Sequence, residues 1–529
     1  MKIIFAFFTL FIGISIVFAQ DPAILWQKTI GGSNTDFSTA FEATTDGGYI
    51  LGGYSTSNIS GEKTEDSNGG IDIWIVKIDG SGNIQWQNTI GGSGDDYLIS
   101  LKQTSDGGYI LGAGSDSDIS GDKTENSRGG LDYWILKLDG SGNIDWQKTY
   151  GGDQPEFDTY IVQTSDGGYF VGGYSDSGIS GDKTVPSKGQ RDFWALKLDG
   201  SGNIIWQKAF GGNLVDRPQA AFQTTDGGYL MAGFSNSGIS GDKTEPNRGG
   251  NDYWIIKMDG SGNLQWDATY GGNDSDVLRN IIQTADGGFL AAGYSKSNIS
   301  GDKTENSRGD YDQWILKLDG SGNLDWQKTI GGSAIDYPRD VKQVADGSYI
   351  VASWSNSNAS GEKTENSNGG YDYWLMRLNS AGGIISQNSI GGSGDESGPY
   401  VIPMANGNLA MFCSSDSNIS GDKGDDSRGL DDYWVFEASP AILGTATHSF
   451  ETKVAAFPNP TEGKCTIDLG SPYSEATVSI YNHLGQHISD KAYSNTQYLE
   501  LEITGAPGIY LASIHTAEGK ETTIKILKR

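Results

Sequence analysis

Apolar and polar residues alternate along short stretches of this chain with the period of a β-strand. In DYWILKLD (residues 132–139), Trp134 and Leu136 share one face, and Tyr133 and Ile135 share the other. Both faces are apolar, which predicts a strand that is covered on both sides. The turn residues GSGN follow at once, and IDWQKTY then alternates again. These two strands are therefore predicted to form a tight hairpin.

A second hairpin precedes the first, with strands at about 97–104 and 109–115 flanking the turn SDGG. The whole pattern returns every 60 residues without insertion. Tryptophan marks its phase at positions 74, 134, 194, 254, 314, 374 and 434, and again at 26, 86, 146, 206, 266 and 326, with Ser386 in the seventh place. Four antiparallel strands per unit, buried on both faces, are typical of a propeller blade.

The ends of the array indicate how the ring closes. We name the four strands of a unit A to D in chain order. The chain begins with an isolated strand D at about 25–30, and its seventh unit stops after strand C at about 433–438. Pairing these two strands would complete a seventh blade and leave no sheet edge exposed. A linear solenoid would instead need polar caps at both ends. We therefore predict an all-β protein: a seven-bladed β-propeller over 24–440, closed by the N-terminal strand, plus a small C-terminal β-sandwich.

The turn LDGSGN, with a tryptophan three residues later, resembles the turns of quinoprotein-type propellers, whose tryptophan docks between adjacent blades. This resemblance supports the propeller fold. It does not imply a quinone cofactor, because the turn is structural.

The two ends of the sequence indicate export. Residues 1–19 contain one lysine, an apolar run and small residues before a cut after Ala19, as in a secretory signal peptide. No later stretch is long and apolar enough to span a bilayer. Residues 441–451 are predicted to form a linker, and residues 452–529 a separate C-terminal domain with alternating strands.

That C-terminal segment contains several short motifs that together resemble a known family. They are Phe457, Pro458, Asn459 and Pro460; Gly485 after a strand; Gly508 and Tyr510; and the basic end around Lys525. With these motifs the segment resembles the type A C-terminal sorting domain of the Bacteroidota type IX secretion system. The resemblance implies handling by that secretion machinery, followed by display on the outer-membrane surface or release. It gives an address and no activity.

Charge and cysteine content exclude several functions. The formal net charge is −30, from 67 acidic and 37 basic residues, which disfavours nucleic acid and anionic membranes as partners. It suits solubility, cation binding or a basic partner. The two cysteines, Cys413 and Cys465, fall in different predicted domains, so no disulfide framework is indicated.

The B–C and D–A connections are long and polar, and in a propeller they share one face. That face is therefore the predicted working face. An acidic residue recurs at the start of every strand A and would form a ring near the central channel, either to bind a ligand or to cap the strand. The ring consists of Asp36, Asp96, Glu156, Asp216, Asp276, Asp336 and Glu396. Three arginines that break the repeat, Arg217, Arg279 and Arg339, follow this ring and are candidates to hold a carboxylate or sulfate.

The B–C loops offer a second candidate site. Asp122 and Asp132, and their equivalents Asp182 and Asp192, present carboxylates of the kind that Ca²⁺ prefers. Calcium is the one cofactor that these loops suggest, and a neighbouring lysine and Arg128 oppose it. The alternative is an ordered loop in which these side chains accept hydrogen bonds from backbone N–H groups.

Histidine is absent from the repeats: all four histidines, at 448, 483, 487 and 515, lie outside them. The propeller therefore has no imidazole for a catalytic triad or a histidine metal site. We expect a secreted or cell-surface binding or adhesion module for a glycan or a basic partner, without enzymatic activity. The alternative is a carbohydrate-active enzyme that uses acids and arginines of the loop face.

Overall fold

The computed structural model describes residues 24–439, 454–482, 487–516 and 521–529. The chain divides into two compact units, Met1–Leu443 and Gly444–Arg529. The predicted signal peptide and linker lie outside the described residues. In the described parts of the chain, no helix is long and apolar enough to cross a membrane.

The first unit consists of seven four-stranded antiparallel sheets, one for each repeat. Blades 1 to 3 consist, in the order A to D, of β2 (Asp36–Ala43), β3 (Tyr49–Ser55), β4 (Asp72–Ile78) and β5 (Ile84–Ile90); β6 (Asp96–Gln103), β7 (Tyr109–Ser115), β8 (Asp132–Leu138) and β9 (Ile144–Tyr150); and β10 (Glu156–Gln163), β11 (Tyr169–Ser175), β12 (Asp192–Leu198) and β13 (Ile204–Phe210). Blades 4 to 6 consist of β14 (Asp216–Gln223), β15 (Tyr229–Ser235), β16 (Asp252–Met258) and β17 (Leu264–Tyr270); β18 (Asp276–Gln283), β19 (Phe289–Ser295), β20 (Asp312–Leu318) and β21 (Leu324–Ile330); and β22 (Asp336–Gln343), β23 (Tyr349–Ser355), β24 (Asp372–Leu378) and β25 (Ile384–Ile390).

Blade 7 joins the two ends of the array, because its fourth strand comes from the start of the chain. It consists of β26 (Glu396–Pro403), β27 (Leu409–Ser415), β28 (Asp432–Ala438) and β1 (Ile24–Ile30). Strands β1 and β28 pair antiparallel, from Ile24 opposite Ala438 to Ile30 opposite Tyr433. The predicted closed propeller is confirmed.

The core lies between blades. Every strand C is buried along its whole length except at Arg377 of β24, and the seven strand C tryptophans are at most 1% exposed. Each packs on a neighbouring blade: the ring of Trp194 stacks on Tyr133 with 5.0 Å between centroids, and Trp74 stacks on Tyr433 at 4.9 Å, across the closure. The strands A of successive blades contact one another around the centre, including β2 with β26. Side chains of strand A therefore surround the axis of the ring.

The second unit is a β-domain with five described strands: β29 (Ala455–Phe457), β30 (Lys464–Asn482), β31 (His487–Glu502), β32 (Gly508–Thr516) and β33 (Glu521–Lys528). They hydrogen-bond in the order β29-β30-β32-β33, and β31 also pairs with β30. A buried cluster that includes Ile467, Val478, Leu499 and Ile514 holds the strands together.

Candidate ligand site at the centre of the ring

The recurring acids at the start of strand A are buried and already hydrogen-bonded. Asp36 accepts the N–H of Gly32 at 2.6 Å and the hydroxyl of Ser57 at 3.2 Å. The same glycine N–H contact recurs in every blade, to the ring members Asp96, Glu156, Asp216, Asp276, Asp336 and Glu396. All seven are 0% exposed. In this arrangement the carboxylates fasten the D–A turn and the B–C loop to the inner strand.

The four acids predicted as calcium ligands also accept hydrogen bonds from the protein. Asp132 accepts the backbone N–H of Arg128 at 2.5 Å, and Asp192 does the same with Lys188 at 2.6 Å. Asp122 accepts the N–H of Gly91 at 3.1 Å. The described residues contain no group of three or more His, Cys, Asp or Glu side chains that could hold a metal ion.

Asp182 has a further role, because it forms an ion pair at 3.0 Å with Arg128 of the neighbouring blade and also accepts the N–H of Gly151. Equivalent pairs join other blades. Arg428 pairs with Glu62 at 2.9 Å and so links blade 7 to blade 1. These loops therefore connect the blades along their outer rim.

Burial changes the titration of these acids. It raises the pKa of Asp36 to about 6, against the hydrogen bonds that it accepts. Burial also raises the pKa of Asp132 to about 7, where the charge of Glu156 adds to the rise, and that of Asp372 to about 7, next to Glu396. A carboxyl group that is kept partly protonated near neutral pH is a weak ligand for a cation.

A cavity of about 490 Å³ lies at the centre of the ring. Its wall is formed by strand A side chains, which are the part of the repeat that differs most from blade to blade. The polar and aromatic residues that distinguish the wall are Tyr160, Gln219, Arg279, Asn280, Arg339 and Tyr400. None of the seven ring acids is among the described residues that line it. The sequence interpretation identified the two arginines and missed the other four residues.

The three candidate arginines have different surroundings. Arg217 holds Asp158 through its Nε and Nη2 atoms, with 3.0 Å between Nη2 and Oδ1. Arg279 donates from Nη1 to Gln219 at 3.2 Å, and its buried Nε has no hydrogen-bond partner. Arg339 donates to the hydroxyl of Tyr400 from Nε at 3.1 Å and from Nη2 at 2.5 Å. Only the charge of Arg217 is balanced by an adjacent carboxylate within this set.

The two lysines of the cavity wall are paired. Lys102 contacts Glu42 at 2.6 Å, and Lys342 contacts Asp340 at the same distance. In the part of the chain that the structure describes, no ion pair within 4.0 Å joins Arg279 or Arg339 to a carboxylate. The cavity therefore carries an excess of positive charge inside a strongly acidic protein.

Half-buried aromatic rings lie beside the first residues of strand A, on the face of the long connections. One cluster contains Phe37, Tyr54, Tyr97 and Phe157, with centroid distances of 5.3 to 5.7 Å between neighbours. A second cluster consists of Tyr294, Tyr311, Tyr337 and Trp354. For four of these residues, Phe37, Tyr97, Phe157 and Tyr337, the sequence signal is the variation at the second residue of strand A.

These clusters lie near the cavity arginines. Burial raises the pKa of Tyr54, and the charge of Arg339 opposes that rise. Burial likewise raises the pKa of Tyr294, against the charge of Arg279. None of these aromatic rings is among the described residues that line the cavity, so the candidate site consists of the cavity wall with its two arginines.

Comparison with known proteins assigns the second unit. Residues 455–529 match the secretion system C-terminal sorting domain. The tail is a type IX sorting domain. It directs the protein to the cell surface or the extracellular space, as the motifs predicted.

The residues predicted to act in sorting are spread over the turns and strands of this domain. Asn459, between Pro458 and Pro460, accepts the N–H of Leu527 at 2.9 Å. Gly508 opens β32, and the hydroxyl of Tyr510 donates to the carbonyl of Ala506 at 2.8 Å. Lys525 belongs to β33, and Gly485 lies outside the described residues.

The propeller is similar to several solved structures at low identity. A protein of unknown function from Dyadobacter fermentans is 12% identical, with 79% of this chain and 98% of that one covered and a TM-score of 0.39. The Pan2 WD40 domain of Neurospora crassa is 10% identical, with coverages of 79% and 96% and a TM-score of 0.39. Puromycin hydrolase is 11% identical, with coverages of 84% and 61% and a TM-score of 0.44. No curated protein matches the sequence. These similarities identify neither a ligand nor an activity.

Proposed function

We propose that the propeller is an exported binding module that takes its ligand at the central cavity. The cavity is lined by strand A from its fourth residue onward and by Thr225 of an A–B turn, so it lies toward the tight turns and not on the predicted face of the long connections. The observation that carries this proposal is a difference in pairing between the acidic side chains of the loops and the arginines of the cavity wall. The repeated carboxylates of the loops accept hydrogen bonds from the protein itself, as Asp36 and Asp122 do. The arginines of the cavity wall, Arg279 and Arg339, do not have carboxylate partners, and their surroundings differ.

A glycan is the ligand class that best suits this site. Sites for small ligands combine apolar and aromatic walls with a few placed polar groups. Here the rings of Tyr160, Phe222 and Tyr400 line the cavity together with the amides of Gln219 and Asn280. A basic partner fits less well, because the two side chains of the cavity wall that have no carboxylate partner, Arg279 and Arg339, are cationic.

We infer a binding role in preference to a catalytic one. Glycoside hydrolysis usually needs two carboxyl groups that face the scissile bond. Asp340 is the single carboxylate among the described residues that line the cavity, and it is held by Lys342 and Asn280 at 2.6 and 3.1 Å.

The test is a glycan array with the chain from residue 20 to 529, followed by titration of the glycan that binds. Ile99→Trp fills the cavity, because Ile99 lines it. Ile119→Trp is the matched control on a B–C loop, where Ile119 is 63% exposed. We expect the first variant to lose binding and the second to keep it. Equal binding by both variants, or turnover of the glycan, would contradict the proposal.

A further inference from the structure

Arg279 presents one edge of its guanidinium group without a partner. Its Nη1 donates to Gln219, whereas its Nε is buried and has no hydrogen-bond partner. No hydrogen bond from its Nη2 occurs among the contacts of the described residues. An unpaired donor of this kind in a protein interior is costly, and for a charged group the cost is larger than for a neutral one.

Two other arginines of this propeller show what that edge accepts. Arg191 binds Asp176 with Nε at 2.7 Å and Nη2 at 2.8 Å, one hydrogen bond to each carboxylate oxygen. Arg217 binds Asp158 through the same two nitrogen atoms. The Nε and Nη2 atoms form a planar fork that matches the two oxygens of a carboxylate.

Arg339 strengthens the positive potential at that fork. It occupies the position of Arg279 in the next blade, 60 residues later. Burial lowers the pKa of Arg279, and the charge of Arg339 lowers it further, so the two guanidinium groups repel each other. The one carboxylate among the described residues of the cavity wall, Asp340, is paired with Lys342 and forms no ion pair with either arginine.

We infer that Arg279, supported by Arg339, binds a carboxylate of the ligand, so that the ligand of the central cavity is a uronate-containing glycan. This inference rests on the proposed function and makes it more specific. On binding, the partly exposed Arg279 side chain turns so that its Nε, which is buried in the ligand-free protein, and its Nη2 both face the carboxylate oxygens. Arg339 contributes charge from the adjacent blade. Tyr160 and Tyr400 of the cavity wall contact the sugar.

The first experiment compares three probes by calorimetry with the chain from residue 20 to 529. The probes are an oligogalacturonate, the same oligosaccharide with its carboxyl groups reduced to alcohols, and a sulfated galactan oligosaccharide. A charge-assisted hydrogen bond contributes about 1.5–3 kcal/mol, so we expect reduction to weaken binding by roughly tenfold to hundredfold. Equal affinity for the reduced probe, or tighter binding of the sulfated one, would overturn the assignment of a carboxylate.

Variants of Arg279 test whether this residue binds the carboxylate of the probe. Arg279→Gln is expected to weaken oligogalacturonate binding to the level of the reduced probe, and Arg279→Lys, which keeps the charge without the fork, to give an intermediate affinity. Arg128→Gln is the matched control, because it removes the same charge from the outer rim, where Arg128 pairs with Asp182. A loss of binding in the control as large as in Arg279→Gln would contradict the inference.

A second experiment separates this inference from the proposed function. Sodium acetate is compared with sodium chloride at equal ionic strength, and the melting temperature is measured for the unaltered chain and for Arg279→Gln. We expect acetate to raise the melting temperature of the unaltered chain only. If acetate acts but no glycan binds, the carboxylate site stands and the glycan proposal fails. If acetate has the same effect on both proteins, the carboxylate site itself is wrong.

Discussion

Gln27 holds the two ends of the propeller together, and its removal gives a quantitative test of the closure. Its side chain makes three contacts across blade 7. It accepts from the indole of Trp434 at 3.0 Å and from the N–H of Gly424 at 2.8 Å, and it donates to the carbonyl of Asp422 at 3.0 Å. These partners come from the opposite end of the seven-blade array.

In Gln27→Ala, the indole N–H of Trp434 loses its partner, and the Trp434 side chain is 0% exposed. Leaving a buried donor unpaired costs about 1–3 kcal/mol, whereas the exposed N–H of Gly424 can bind water instead. The unfolding entropy is about 2.1 cal/mol/K per residue, so a ring of roughly 420 residues loses about 1 °C of Tm for each kcal/mol. The expected decrease in Tm is therefore about 1–3 °C.

Differential scanning calorimetry of the chain from residue 20 to 529 measures this change. Lys28→Ala is the control, because Lys28 is the next residue of β1 and its side chain is exposed. Gln27→Glu should lose less than Gln27→Ala, since Asp267 accepts the equivalent indole of Trp254 at 3.1 Å in blade 4. A Tm for Gln27→Ala equal to that of Lys28→Ala would refute the role of this contact.

Three further results are expected. Tm should rise as pH falls from about 7.5 to about 5. Asp36 and Asp132 have folded-state pKa values of about 6 and about 7, so the folded protein binds their protons more tightly than the unfolded chain does. A Tm that falls over this range would contradict the burial of these acids. Below about pH 4 the sign reverses, since Asp46, hydrogen-bonded to Thr44 and paired with Lys77, has a pKa lowered to about 2. Calcium and a chelator should each leave Tm unchanged within about 1 °C. A ligand at about a hundred times its Kd increases the free energy of unfolding by about 2.7 kcal/mol, and a calcium-dependent increase of that size would restore the metal hypothesis. Cys413, which is buried and free, should react with a thiol reagent only after unfolding, and a rapid reaction of the native protein would show that its strand is misplaced.

The fold was predictable because local and global signals agree at each repeat. The turn GSGN needs a residue that tolerates positive φ, and Gly142 has φ of 87° there. The apolar faces of strand C predicted burial on both sides, which the structure shows for Trp134 and Ile135. The missing half-blades at the ends predicted the pairing of β1 with β28, because an unpaired strand edge would otherwise remain.

The central site was only partly predictable. Arg279 and Arg339 stood out because they break the repeat, but their surroundings depend on residues that the ring brings together from distant blades. Tyr400 contacts Arg339 from the next blade and also donates to the carbonyl of Thr39, 361 residues away. Which arginine finds a carboxylate is decided by such contacts: Arg217 meets Asp158 of the preceding blade, and Arg279 meets Gln219.

The acidic residues show a second limit of sequence reasoning. Their recurrence suggested either a ligand ring or caps for the strands, and spacing alone does not distinguish the two. The difference depends on where backbone N–H groups point. Gly32 directs its N–H to Asp36, and Gly92 directs its N–H to Asp96, both at 2.6 Å. That geometry follows from the conformation of the D–A turn in three dimensions.

The most direct test of the account is a crystal structure of the chain with the glycan that the array selects. We predict electron density for the glycan in the central cavity, with a carboxylate against the Nε and Nη2 atoms of Arg279. Density for the glycan on the outer B–C loops, with the cavity unchanged from the ligand-free crystal, would contradict the central claim.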